Sequence, residues 1–203
     1  MPLVKGNRRG SAPGGIATAN PPTLESSDPE CRWAAARALA GHPEAVTALS
    51  EALARETVPR VREAIMTALI RIGDTASVEA ILPYLRSQNA GLRAAAIEAL
   101  QAMPSAIAPF IAPLFSDTDS DMRLLATELA RNIKASEATP LLCDLIEREQ
   151  HPNVCAAAID VLIEVGTPEA LPALEKCAVR FAATPFLPFA ISMAIARISG
   201  AKA

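Results

Sequence analysis

The sequence predicts an all-α protein, an α-solenoid built from an opening helix and about five antiparallel helix pairs. Two observations carry this reading. A self-similar segment returns along the chain at a nearly fixed interval. Between its copies, apolar residues recur at steps of three and four, and no alternating strand pattern interrupts them.

The front of the chain differs from the rest. Residues 1–24 hold Gly6, Gly10, Gly14, Gly15, Pro13, Pro21 and Pro22 among Ser, Ala and Asn, without a periodic apolar face. That composition predicts a disordered Gly/Pro/Ser-rich tail over 1–24, with the solenoid spanning 25–203. The tail's charges are Lys5, Arg8 and Arg9. Three cations contribute little to phosphate binding at physiological salt, so the tail is expected to be solvated.

The repeated segment pairs an apolar residue with an Arg, followed by Ala or Leu at helical spacing. Its copies begin Cys31-Arg32, Val61-Arg62, Leu92-Arg93 and Met122-Arg123, so the arginines lie 30, 31 and 30 residues apart. A fifth copy puts Cys155 in the Arg place, 32 residues on, and a sixth puts Phe189 there after 34 more. Closing glycines at Gly73, Gly166 and Gly200 offer the left-handed position that ends a helix. A first helix precedes each later copy, over 43–54, 75–85, 105–115, 136–146 and 168–178. Asp74, Ser105, Ser136 and Thr167 are the expected N-caps, and the prolines within or near these stretches predict late starts or bends. One pair cannot bury its own apolar stripe, so neighbours must stack into a continuous core.

Composition narrows the function classes. Of 203 residues, 51% are hydrophobic and 3% aromatic, and the net charge is −3. The charge predicts no bulk attraction to nucleic acid or to anionic lipid. No apolar run approaches the ~20 residues of a membrane span. Cys31, Cys143, Cys155 and Cys177 form no close-spaced pair, so no metal site is expected and each Cys reads as a small buried hydrophobe. His42 and His151 both precede Pro, a context of extended backbone leading into a helix. There is no catalytic triad, phosphate loop or metal cluster, so no catalytic residue and no cofactor are predicted. A location in a reducing cytoplasm follows from this set.

The apolar-Arg pair, the Ile-Gly style of close and the Pro of the first helix resemble HEAT repeats. The period matches the short HEAT-like repeats first noted in phycobilisome lyase subunits. The resemblance covers roughly residues 28–200 and implies a non-catalytic scaffold or adaptor that binds another protein. The alternative it implies is a bilin lyase or lyase-like subunit. The paired His-Glu dipeptides of HEAT-like hydroxylases are missing, since neither His42 nor His151 is followed by Glu. The basic, aromatic-lined face of HEAT-like DNA glycosylases is not expected from an acidic chain.

In such arrays the second helices line the concave wall. Residues two, six and nine after the apolar position share one exposed stripe, because those steps are four and three. The predicted partner-binding stripe is therefore Trp33, Arg37; Glu63, Thr67, Ile70; Glu98, Gln101; Leu124, Glu128, Arg131; Asp160, Ile163. An acidic row of Glu63, Glu98, Glu128 and Asp160 with apolar neighbours suits a basic amphipathic partner. Ala95, beside that stripe, is expected inside the stacking core. The repeated arginines are expected to join units, with Asp28, Glu30, Asp119 and Asp121 as partners. Residues 181–196 carry no charge and include Phe186, Phe189 and Met193, a second candidate interface through which the last helix would form a homodimer.

Overall fold

The computed structural model describes residues 23–200. The tail predicted over 1–24 therefore lies, but for its last two residues, outside the described residues. Leu24 already packs against the core. Helix α1 (Pro29–Ala38) opens the array. Five pairs follow: α2 (Val46–Arg55) with α3 (Pro59–Ile72), α4 (Thr75–Ile81) with α5 (Ala90–Gln101), α6 (Pro104–Phe115) with α7 (Ser120–Ala130), α8 (Ala135–Arg148) with α9 (Pro152–Val165), and α10 (Leu171–Arg180) with α11 (Leu187–Ser199). Helices α1, α3, α5, α7, α9 and α11 touch in succession and make one layer; α2, α4, α6, α8 and α10 make the other. One apolar cluster runs from Ala36 to Ala194 between them.

Proline and cap chemistry set the boundaries. Pro43 and Pro168 open single 3-10 turns ahead of α2 and α10, and Pro83 turns the end of α4 into a 3-10 segment, Leu82–Arg86. Asp74 caps α4 through the Ser77 amide at 2.7 Å, as expected. Ser105 and Ser136 do not act as N-caps, because Pro104 and Ala135 begin their helices earlier; Thr167 holds the N-cap position of its 3-10 turn but makes no side-chain cap bond. The side-chain caps lie instead on the second helices: Asp28, Asn89 and Asp119 accept backbone amides at the starts of α1, α5 and α7. His42 and His151 hold extended backbone immediately before their helices. Gly73 takes the left-handed conformation (φ 68°), whereas Gly166 is extended. Gly166 is small for another reason: a Cβ there would stand 2.4 Å from the Leu162 carbonyl oxygen.

The repeated Arg ties each second helix to the turn before it. Arg32, Arg93 and Arg123 donate to the carbonyl six residues upstream, those of Ser26, Ser87 and Asp117, at 2.7–2.8 Å. Where Cys155 replaces Arg, its thiol donates weakly to the Glu149 carbonyl at the same offset. The expected acidic partners are corrected. Arg32 clasps Glu56 bidentately (2.7 and 3.0 Å), and Arg123 clasps Glu149 in the same way (2.6 and 3.0 Å). Both carboxylates come from the following pair. Asp28 and Asp119 are the caps named above, and Glu30 pairs with Arg60. Each clasped carboxylate also accepts the next two backbone amides. No ion pair joins Arg62 or Arg93 to an acid among the described residues: the position equivalent to Glu56 is Ser87 for Arg62, and Asp117 is engaged by Arg86.

Two departures matter for the site. Helix α5 packs far less extensively on α3 and α7 than α1 does on α3 or α9 on α7 and α11. The sixth copy falls one residue earlier than its sequence suggests. Leu187, Ile191 and Ala194 take the buried places held in α9 by Val154, Ala158 and Val161, so Pro188 occupies the Arg place. No single helix among the described residues is long and apolar enough to cross a membrane; α5 and α6 pass together only as a pair bent by 117°.

The Arg32 hydrogen bond holds the Glu56 carboxyl down at about 2, against a smaller opposing effect of burial. Burial alone would raise the Glu149 carboxyl, but Arg123 and two backbone amides outweigh it and lower its pKa. Both carboxylates therefore stabilise the fold at and above the ordinary carboxylate range, and that stability is lost as pH falls below it, for Glu56 toward about 2. Thermal melts across that window should show a steep drop. Glu149→Ala should cost about 3 kcal/mol at neutral pH, because it leaves Arg123 partly buried without its anion. It should also flatten the acid limb, and an unchanged limb would remove the bridge from the account.

Candidate functional site

The second-helix layer presents the predicted stripe on the side away from the first helices. None of its twelve residues is buried: Arg37, Glu63, Thr67, Glu98, Leu124 and Asp160 are exposed, while Trp33, Ile70, Gln101, Glu128, Arg131 and Ile163 are half-buried. Ala95 is a correction. It is half-buried and lines a surface groove, and the residues of α5 that enter the core are Ala96, Ala99 and Leu100. The stripe residues come from five helices of that layer, α1, α3, α5, α7 and α9.

Two depressions bring part of the stripe together. One, about 570 Å³, lies between α3 and α5, where those helices stand apart; Arg62, Glu63, Thr67, Ile70 and Glu98 help to line it. The second, about 290 Å³, lies between α1 and α3 and shares Glu63 and Thr67 with the first. Residues two after the apolar position give an apolar track of Ala94, Leu124 and Ala156, and residues six after it give Glu98, Glu128 and Asp160.

The acidic row is not uniform. Glu63, Glu98 and Asp160 form no ion pair among the described residues. Glu128 approaches Arg131 at 3.5 Å, and Arg131 also pairs with Glu164 of the next unit. Gln101 is tied to the Glu128 carbonyl at 3.4 Å, a weak link between α5 and α7. At the other end, Trp33 is no bare apolar anchor. The guanidinium groups of Arg37 and Arg60 lie over its ring, 4.6 and 4.4 Å from the centroid. Sequence spacing had no means of placing Arg60 there, since it lies 27 residues away on the next second helix.

The C-terminal residues join the same face. With the register set by Leu187, Phe189 and Met193 fall two and six places on, in line with Ala156 and Asp160. Phe189 is 71% exposed and Met193 40%. Phe186, also exposed, precedes the helix. Five places after Leu187 stands the exposed Ser192, where four of the five earlier copies bury Ala36, Met66, Thr127 and Ile159 and α5 half-buries Ile97.

The cysteines divide in two. Cys155 and Cys177 are buried and Cys31 and Cys143 half-buried, and no cluster of His, Cys, Asp and Glu among the described residues could hold a metal ion.

Residues 22–101 and 107–181 match the family of HEAT repeats. No curated protein matches the chain. Among solved structures, the chain is similar to an engineered protein with 19% identity over 87% of this chain and 94% of that one, at a TM-score of 0.44. It is similar also to a designed armadillo repeat protein, with 16% identity over 86% and 96% and a TM-score of 0.41.

The register makes a sharp comparison available on α5. Ala96→Glu drives a carboxylate into the core and should lower stability by about 3 kcal/mol or more, read from thermal melts. Glu98→Lys, two residues on and exposed, should change it by no more than about 0.5 kcal/mol. Equal effects would overturn the register of the stripe.

Proposed function

The chain belongs to the HEAT repeat family, and we propose that it is a non-catalytic scaffold or adaptor that holds another protein along the exposed face of its second helices. The observation that carries this reading is the pairing of two tracks on that face. Ala94, Leu124 and Ala156 continue into the exposed Phe189, while Glu98, Glu128 and Asp160 run beside them and give way to Met193 in the last helix. Side-by-side apolar and acidic rows fit a basic amphipathic segment, with apolar side chains giving affinity and the carboxylates giving register and rate of encounter. Neighbouring helices of such a layer lie 8–10 Å apart. Seven residues of an α-helix rise about 10 Å, so a helical partner would place one Lys or Arg opposite each acid every second turn.

The test is selective capture. Proteins retained by the wild-type chain and lost on a Glu98→Lys, Glu128→Lys, Asp160→Lys variant of unchanged melting should carry a Lys/Arg-rich amphipathic stretch, identified by mass spectrometry. An identical retained set on both proteins places the site elsewhere. Phe186, Phe189 and Met193 also bear on self-association. If a second copy covers them, light scattering will show a mass that rises with concentration and falls with Phe189→Asp. A mass independent of both leaves these residues to the partner.

A further inference from the structure

The face just described changes sign along its length, and the change has a chemical consequence. The depression between α1 and α3 is lined by Arg37, Arg60 and Arg71 against a single carboxylate, Glu63, with Trp33 as its apolar wall. Arg60 is shared with Glu30, but Arg37 and Arg71 form no ion pair among the described residues. Residues 1–22 and 201–203 contain no Asp or Glu that would supply one. The next depression reverses the balance, with Glu63 and Glu98 against Arg62, and the acids continue through Glu128, Asp160 and Glu164.

We propose that the Trp33, Arg37 and Arg71 depression is a subsite for an anionic group, a carboxylate or a phosphoryl oxygen cluster, borne by the same partner segment whose basic part lies over Glu98, Glu128 and Asp160. The proposal rests on the groove reading above and adds direction to it. Arg37 is stacked on Trp33 and free of internal acids, and Arg71 lines the same depression without an acid partner; a guanidinium is a weakly hydrated donor in a fixed fork, the geometry that recognises planar or tetrahedral oxyanions. The segment must then run with its anionic end over α1 and α3 and its basic end over α5 to α9; the reversed segment places like charges together at both ends. A spacer of about four extended residues, roughly 13 Å, exceeds one packed interhelical spacing and so reaches past α3 toward α5.

Trp33 is the single tryptophan of the chain and therefore reports the subsite directly. The probes are Trp-free synthetic peptides: a Lys/Leu amphipathic block alone, the same block with three Glu four residues before it, the same with three Glu four residues after it, and a Glu block alone. A phosphoserine version of each Glu block separates the two anion sources. One order of blocks should bind about tenfold more tightly than the Lys/Leu block alone, measured by anisotropy, and should shift Trp33 emission. Arg37→Ala with Arg71→Ala should abolish that gain without weakening the Lys/Leu block, since removing two cations only relieves repulsion of a basic peptide. Equal affinity for both orders, or a gain that survives the double variant, overturns the proposal. If the Lys/Leu block fails to bind while a Glu or phosphoserine block still shifts Trp33 emission in an Arg37- and Arg71-dependent way, the groove reading falls and the anion subsite stands. If neither block acts on Trp33, or a single-stranded oligonucleotide shifts it more strongly than every peptide, the subsite for a peptide anion is refuted.

Discussion

Each second helix of this array begins with the same unmet need, a turn whose carbonyls point away from any helical partner. The repeated Arg answers it by reaching back six residues, as Arg32, Arg93 and Arg123 do to Ser26, Ser87 and Asp117. At two places the same guanidinium also holds a carboxylate from the following pair, Glu56 or Glu149. One side chain then fixes the turn, orients the helix start and joins two units. The apolar core supplies cohesion, but it is non-directional. The Arg geometry sets where each unit sits on the last, and hence where the exposed rows of the second helices fall.

Most of the fold was legible because the Arg position repeats and the helices obey one period. Five pairs, their order and the exposure of the stripe all follow from counting on from that residue. The count failed where the marker failed. In α11 a Pro occupies the Arg place, and aligning Phe189 with Cys155 instead shifted the copy by one residue. Partner acids were missed for a different reason: Asp28 and Asp119 are near in sequence, whereas Glu56 and Glu149 belong to the next unit. A signal for them exists, since each stands six residues before the Arg or Cys place of its own copy, at Arg62 and Cys155.

The candidate site was legible in its residues and only partly in its character. Spacing on one helix found Trp33, Glu63, Glu98 and Leu124, because they need no knowledge of a neighbour. It read Trp33 as apolar and the face as acidic; Arg37, one turn along the same helix, was a cue in the spacing, whereas Arg60 and Arg71 come from a different helix or a different row. Arg131 likewise looks free in sequence but is held between Glu128 and Glu164. Charge on such a face is a property of pairs of units.

The two clasped bridges stand toward the ends of the array, at α1 with the turn before α3 and at α7 with the turn before α9. Between them, Arg62 and Arg93 bind only their own turns, and α5 leans lightly on both neighbours. The second-helix layer is therefore tied together least at its middle unit. Bending and local opening concentrate where the fewest apolar contacts resist them, so amide exchange across α5 would outpace that of α3 and α9. Such a joint lets the gap beside α5 widen or narrow while both ends keep their internal geometry, so the molecule adapts its span by flexing at one place.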